Sequence, residues 1–127
     1  MTEPSKGELT LRTLAMPRDA NTNGDIFGGW VLSQMDMAAG IVAAARAQGR
    51  VATVAIDAMK FIRPVKVGDV LCIYVHLARV GRTSMGLEIE AWVLRNRQDL
   101  REKVTEALFT FVAIDAAGKP MAVPSKG

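Results

Sequence analysis

From residue 70 onward the chain alternates between apolar and polar positions. Leu71, Ile73, Val75 and Leu77 stand opposite Cys72, Tyr74 and His76, and Met85, Leu87, Ile89, Ala91 and Val93 repeat the same period of two. That period marks strands with one face on a core and predicts strands over Val70–Val80 and Thr83–Arg95. A further segment, Glu102–Ile114, carries Leu108, Phe109, Phe111, Val112 and Ile114; it is apolar on both faces, as in a strand covered on both sides. Val51–Arg63 reads as another strand. Leu9–Met16 reads as the first, ending where Pro17 would interrupt a ladder. Gly68-Asp69 and Gly81-Arg82 supply the turns between strands, and residues 96–101 form a longer charged hairpin loop.

One segment breaks the alternation. From Trp30 to Ala47 the only charged side chains are Asp36 and Arg46, while Val31, Leu32, Met35, Met37, Ile41 and Val42 spread around a helical wheel. The spacing predicts a helix buried on most sides, with Gly49 as its C-cap. One buried helix with about five antiparallel strands defines an α+β domain in which a long curved sheet wraps the helix. The whole chain, residues 1–127, is expected to form this one domain with a core over about 9–123, leaving Met1–Lys6 and Val123–Gly127 loose.

Composition narrows the function classes. Cys72 is the only cysteine, so no intrachain disulfide can form. The stretch Met1–Glu8 is short and polar, unlike a signal peptide, and Asp36 and Arg46 interrupt the most apolar run, so a cytoplasmic protein without a membrane span is expected. Net charge is +3, but basic and acidic residues are interspersed; this argues against a nucleic-acid-binding arm while suiting a small anionic ligand. No Cys and His cluster has metal-ligand spacing, so no metal and no separate cofactor are expected.

Asp36 is the first candidate for chemistry. A carboxylate amid apolar helix residues costs several kcal/mol unless it is paired or functional, about 2 to 7 kcal/mol for an unpaired buried polar group, and burial would raise its pKa toward the range of a general base. A solvent-facing position or a structural bond to a neighbouring strand accounts for it equally. The second candidate is the loop from Asn21 to Trp30, with Gly24, Gly28 and Gly29, which leads into a helix whose first turn offers unpaired N–H groups. Helix entry with close packing against the sheet is the competing account, and the glycine spacing is not that of a dinucleotide-binding loop. His76 lies mid-strand opposite the apolar face, where a surface role fits better than catalysis. Ser33 and Ser84 lack a neighbouring base.

Geometry links the first two candidates. Gly29 and Asp36 are seven residues apart, roughly 10 Å along one helix at about 1.5 Å per residue. One reacting carbonyl cannot touch both. If both act on it, they come from two copies of the chain with antiparallel helices across a two-fold axis, which predicts an obligate dimer at least.

The segments Leu-Arg-Thr-Leu-Ala-Met-Pro at 11–17, Asn-Gly-Asp-Ile-Phe-Gly-Gly-Trp at 23–30 and Ser-Gln-Met-Asp-Met at 33–37 resemble those of the hotdog-fold acyl-CoA thioesterases, most closely the bacterial YciA type. Phe-Ile-Arg-Pro at 61–64, Val-Gly-Asp at 67–69 and Val-Gly-Arg-Thr-Ser at 80–84 extend the resemblance over about residues 9–123. The resemblance implies hydrolysis of acyl-CoA to free CoA and a carboxylic acid, without a metal, in dimers that assemble into a hexamer. It places the family's catalytic aspartate on Asp36, its loop asparagine on Asn21 and its glycine pair on Gly28 and Gly29. It also places CoA binding near Phe61, Arg63 and Pro64 and near Gly81, Arg82, Thr83 and Ser84.

Two other classes share such a fold. A non-catalytic acyl-CoA sensor or binding module would not need Asp36 and Asn21, and no helix-turn-helix is attached to couple it to DNA. A dehydratase would need a histidine beside the helix, and His76 is misplaced for that. Acyl-chain preference would follow from cavity depth near Met35, Met59 and Phe61, which no spacing argument resolves.

Overall fold

A computed structural model describes residues 6–95, 97 and 100–125. Strand β1 spans Glu8–Leu14, a single 3-10 turn covers Pro17–Asp19, and helix α1 spans Gly28–Ala47. Strands β2 (Val51–Phe61), β3 (Val70–Val80), β4 (Ser84–Arg95) and β5 (Leu100–Ala113) follow. All pairings are antiparallel, in the order β1-β3-β4-β5-β2, and α1 touches every strand.

The alternation in β3 and β4 places the core as expected. Leu71, Ile73 and Val75 line up with Met85, Leu87, Ile89, Ala91 and Val93 under the helix, joined by Phe109 and Phe111 from β5. The helix meets them with Val31, Met35, Ala38, Ala39, Ala43 and Ala47, which form one stripe along a 3.6-residue period. Most of that stripe is alanine, so the helix axis can lie close to the sheet, and fully buried Met35 fills the remaining space.

Several expectations are corrected. The helix is not buried on most sides: Met37 and Ile41 are about half exposed (51 % and 57 %). Met37 and Ile41 point away from the core while alanines make up most of the buried stripe, which is why the wheel looked uniformly apolar. The helix begins at Gly28, two residues before Trp30. It is capped by Gln48, not Gly49: Gln48 adopts φ 56° and ψ 40° and donates its N–H to the Ala44 carbonyl. The left-handed residue is needed one position earlier because β2 already starts at Val51.

Strand β5 is covered unevenly: Phe109 and Phe111 are buried, while on the other face Thr110 and Val112 are half-buried and Leu108 is exposed. Strands β1 and β2 end two residues earlier than expected, at Leu14 and Phe61. Of the predicted charged hairpin loop, Asn96, Gln98 and Asp99 lie outside the described residues, as do 1–5 and 126–127 at the ends expected to be loose. Val123 is not loose: its N–H donates to the Arg82 carbonyl at 2.7 Å, and its side chain packs on the core.

Candidate active site

The approach to α1 is built by backbone hydrogen bonds. Asn21 Oδ1 accepts the N–H groups of Asn23 (2.9 Å) and Asp25 (3.1 Å), folding the loop on itself and leaving Nδ2 as the free donor of the amide. Ile26 N–H donates to the Val65 carbonyl, Phe27 N–H to the Asp19 carbonyl, and Lys66 pairs with Asp25. The loop is therefore pinned to the 65–66 segment and to the 3-10 turn.

At the helix start, Phe27 makes no side-chain cap, and its carbonyl accepts from Trp30 and Val31. The N–H groups of Gly28 and Gly29 consequently have no partner among the described residues, and both glycines are exposed. A Cβ on Gly28 would stand 3.2 Å from the Phe61 ring, so a larger residue there would push that ring. A Cβ on Gly29 would meet nothing within 4 Å. Gly28, Val31, Phe61, Arg63 and Pro64 line a cleft of about 340 Å³ beside these amides.

Asp36 lies two turns further along α1. It is half-buried, and its Oδ1 accepts a hydrogen bond from the Thr53 hydroxyl at 2.6 Å. Sequence reasoning missed Thr53. Its signal was a single hydroxyl among the apolar residues opening β2, legible only once β2 is known to run beside the helix.

The two segments to which the resemblance assigns CoA binding fall at opposite ends of the sheet. Phe61 pairs with Thr105 and Ser84 with Val112, seven residues apart on β5 and so roughly 24 Å at about 3.4 Å per residue. Arg63 is tied within the chain: it lies 3.2 Å from Glu102 and donates to the Lys103 carbonyl. Glu102 also faces Arg95, which makes a two-pronged bond to Asp69, 2 % exposed, with distances of 2.7 and 2.9 Å. The Asp69 bond is the main reason the Arg95 pKa is raised.

At the far turn, the Gly81 N–H donates to the Ser84 carbonyl at 2.7 Å, and Ser84 Oγ accepts from Arg79. The Thr83 carbonyl accepts the Ala113 N–H. The Arg82 side chain is exposed and has no hydrogen-bond or ion-pair partner among the described residues. Register places this turn near Asp36, since Met85 and Thr53 both pair with Phe111.

The remaining titratable groups offer less. His76 is exposed on β3, 4.0 Å from Glu88. Burial pushes the Cys72 thiol up, away from the thiolate a nucleophile needs. A second cleft, of about 420 Å³ on the outer face of the sheet, is lined by Glu88, Glu90, Lys103 and Glu106. Lys103 bridges two of these carboxylates, and its hydrogen bond holds Glu106 below the usual carboxylate range. No cluster of three potential metal ligands occurs among the described residues.

A single helix on a five-stranded antiparallel sheet, with an open helix start and a carboxylate on the same helix, is the hotdog arrangement. Residues 23–99 match the thioesterase superfamily, and the chain belongs to that family. It is 51 % identical to the acyl-CoA thioester hydrolase YciA of Salmonella typhimurium over 130 residues, spanning 100 % of this chain and 98 % of that protein. Its identity to the YciA hydrolase of Escherichia coli K12 is 52 % over 122 residues, 94 % of this chain and 92 % of the other. A hexameric thioesterase from Yersinia pestis superposes with a TM-score of 0.92 at 53 % identity, covering 97 % of this chain and 100 % of that one. A hexameric hotdog-fold thioesterase of Campylobacter jejuni gives 0.87 at 39 % identity, covering 93 % and 91 %.

Proposed function

We propose that the protein hydrolyses acyl-CoA thioesters at sites shared between two copies of the chain. In each site the Gly28 and Gly29 N–H groups and Asn21 Nδ2 of one copy polarise the thioester carbonyl. Asp36 of the other copy, oriented by its own Thr53, takes a proton from the attacking water. The tetrahedral intermediate then collapses with expulsion of the CoA thiolate, and the acid is released. Direct attack by Asp36 to form a mixed anhydride would use the same groups.

The observation that carries this reading is the separation of the two halves. The amide donors open at one end of the helix, and the carboxylate is anchored roughly 10 Å further along it. Two antiparallel copies, related by an axis between residues 29 and 36, would bring each half beside its complement. Exposed Met37 and Ile41 on α1, with Val54 and Ile56 on the edge strand β2, offer the apolar surface for that pairing. The same arrangement would join the Phe61–Pro64 segment of one copy to the Gly81–Ser84 turn of the other as a CoA-binding groove. The names of the relatives support CoA thioesters as substrates, and the hexameric neighbours support dimers assembled further into a hexamer.

The test is thiol release from acyl-CoAs of short to long chain by the wild type and by Asp36→Asn. The substitution should lower kcat by about 10²- to 10⁴-fold, the range of a general base, with folding intact. A folded wild type that binds acyl-CoA and turns over none of the panel would instead make the protein a binding module.

A further inference from the structure

Arg46 is the second charge in the apolar helix and has no part in the chemistry above. Its Nη1 reaches across to the Pro124 carbonyl at 2.7 Å, a contact 78 residues away in sequence. The segment it grips leaves β5 through a tight turn in which Asp115 Oδ1 accepts the N–H groups of Ala117 and Lys119, and Gly118 adopts φ 83°. The chain then returns alongside β5: Ile114 bridges Pro120, and Met121 N–H donates to the Ala113 carbonyl. At its far end the Val123 N–H donates to the Arg82 carbonyl at 2.7 Å, and the Val123 side chain packs on the core.

We infer that residues 119–124 are a positioning strap for the β3–β4 turn, and that Arg46 is the residue that locks it. The Arg82 backbone is held by a neighbouring segment of chain while its side chain is exposed and, among the described residues, has no partner. With the backbone already fixed, a charge-assisted bond from this side chain to an anion requires ordering only the side chain's own rotamers. Arg46 fixes Pro124, Pro124 fixes the adjacent Val123 amide, and that amide fixes the Arg82 carbonyl. This inference rests on the reading that the 81–84 turn holds the phosphates of CoA, and it adds a residue remote from the thioester to that function.

The strap predicts a split in kinetic constants. Arg46→Met keeps the length and helix propensity of the side chain but removes the donor. It should raise KM for acyl-CoA about fivefold, as expected for one coupled hydrogen bond, with kcat unchanged. The same acyl group on N-acetylcysteamine has no phosphates to bind, and its kcat/KM should be the same for the variant and the wild type. Arg46→Lys, which restores a donor, should return KM part of the way. A loss for both substrates, or a fall in kcat, would mean that Arg46 only supports the fold and would overturn the strap. Arg82→Gln separates the two levels of the argument. If it leaves KM for acyl-CoA unchanged, the phosphate reading of the turn fails. If it raises KM while Arg46→Met does not, the turn binds CoA but the strap does not position it.

Discussion

The start and the middle of α1 are built in opposite ways. At its start the chain presents donors: the Gly28 and Gly29 amides have no partner among the described residues, and the surrounding loop is held by backbone hydrogen bonds and by Asn21 Oδ1. Near its middle it presents an acceptor, Asp36, held by a single hydroxyl from β2. Charge support differs as well. Arg63 beside the helix start is already paired with Glu102, whereas Arg82 near Asp36 has no partner among the described residues. On the proposed reading each region carries one half of what acyl transfer to water needs, an electrophilic cradle or a base, and a single folded chain would be an incomplete catalyst.

Subunit complementation sets the two regions against each other most directly. Asp36→Ala removes the base, while Gly29→Val fills the space beside the amides with a side chain that the isolated chain can accommodate. Each variant alone should lose about 10²-fold or more in activity. Refolded together in equal amounts, half of the dimers are mixed and each mixed dimer has one intact site, so about a quarter of wild-type activity should return. No recovery would break the comparison by placing both halves in one chain.

Next in size is the latch behind the helix start. Arg95→Met leaves the Asp69 carboxylate buried with only the Lys66 N–H as a close partner. Stability should fall by about 2 to 3 kcal/mol, below the range for a fully buried pair because Arg95 is partly exposed. Urea unfolding monitored by tryptophan fluorescence measures this, and a change under about 0.5 kcal/mol would make the pair dispensable.

At the acceptor, Thr53→Val preserves shape but deletes the hydroxyl. We expect kcat to fall about tenfold, corresponding to about 1.4 kcal/mol for a bond to a charged group, with KM unchanged. An unchanged kcat would show that the helix alone aims Asp36.

The smallest effect lies between the two regions. Ala58 sits at φ 51° where β2 bulges against β5. Ala58→Gly should stabilise the protein by about 1 kcal/mol by relieving a left-handed backbone that alanine disfavours, seen as a higher urea midpoint. No gain in stability would mean that the bulge is not strained by its alanine.

Much of this was legible before the fold was known, for local reasons. Strands β3 and β4 follow from an alternation that any neighbour of either residue type would enforce, and their predicted bounds agree with the structure to within one residue. Asp36 stood out because a carboxylate is conspicuous among apolar side chains. The hidden parts are those whose meaning depends on a distant partner. Thr53 is an ordinary strand threonine until Asp36 lies beside it, Arg46 an ordinary helix arginine until Pro124 arrives, and Asp69 an ordinary turn residue until Arg95 closes on it. The exposed flank of α1 was misread because its buried stripe is made of alanines, which contribute little to a hydrophobic pattern.

The sequence by itself determined the elements, the turns between them and the residue types able to do chemistry, because these depend on side-chain period, backbone freedom and charge within a few positions. Only the tertiary structure decided which face of α1 is left open, which hydroxyl meets Asp36, and which carbonyl Arg46 reaches. Those facts are set by where the strands cross the helix, and that crossing is fixed by contacts between residues far apart in the chain.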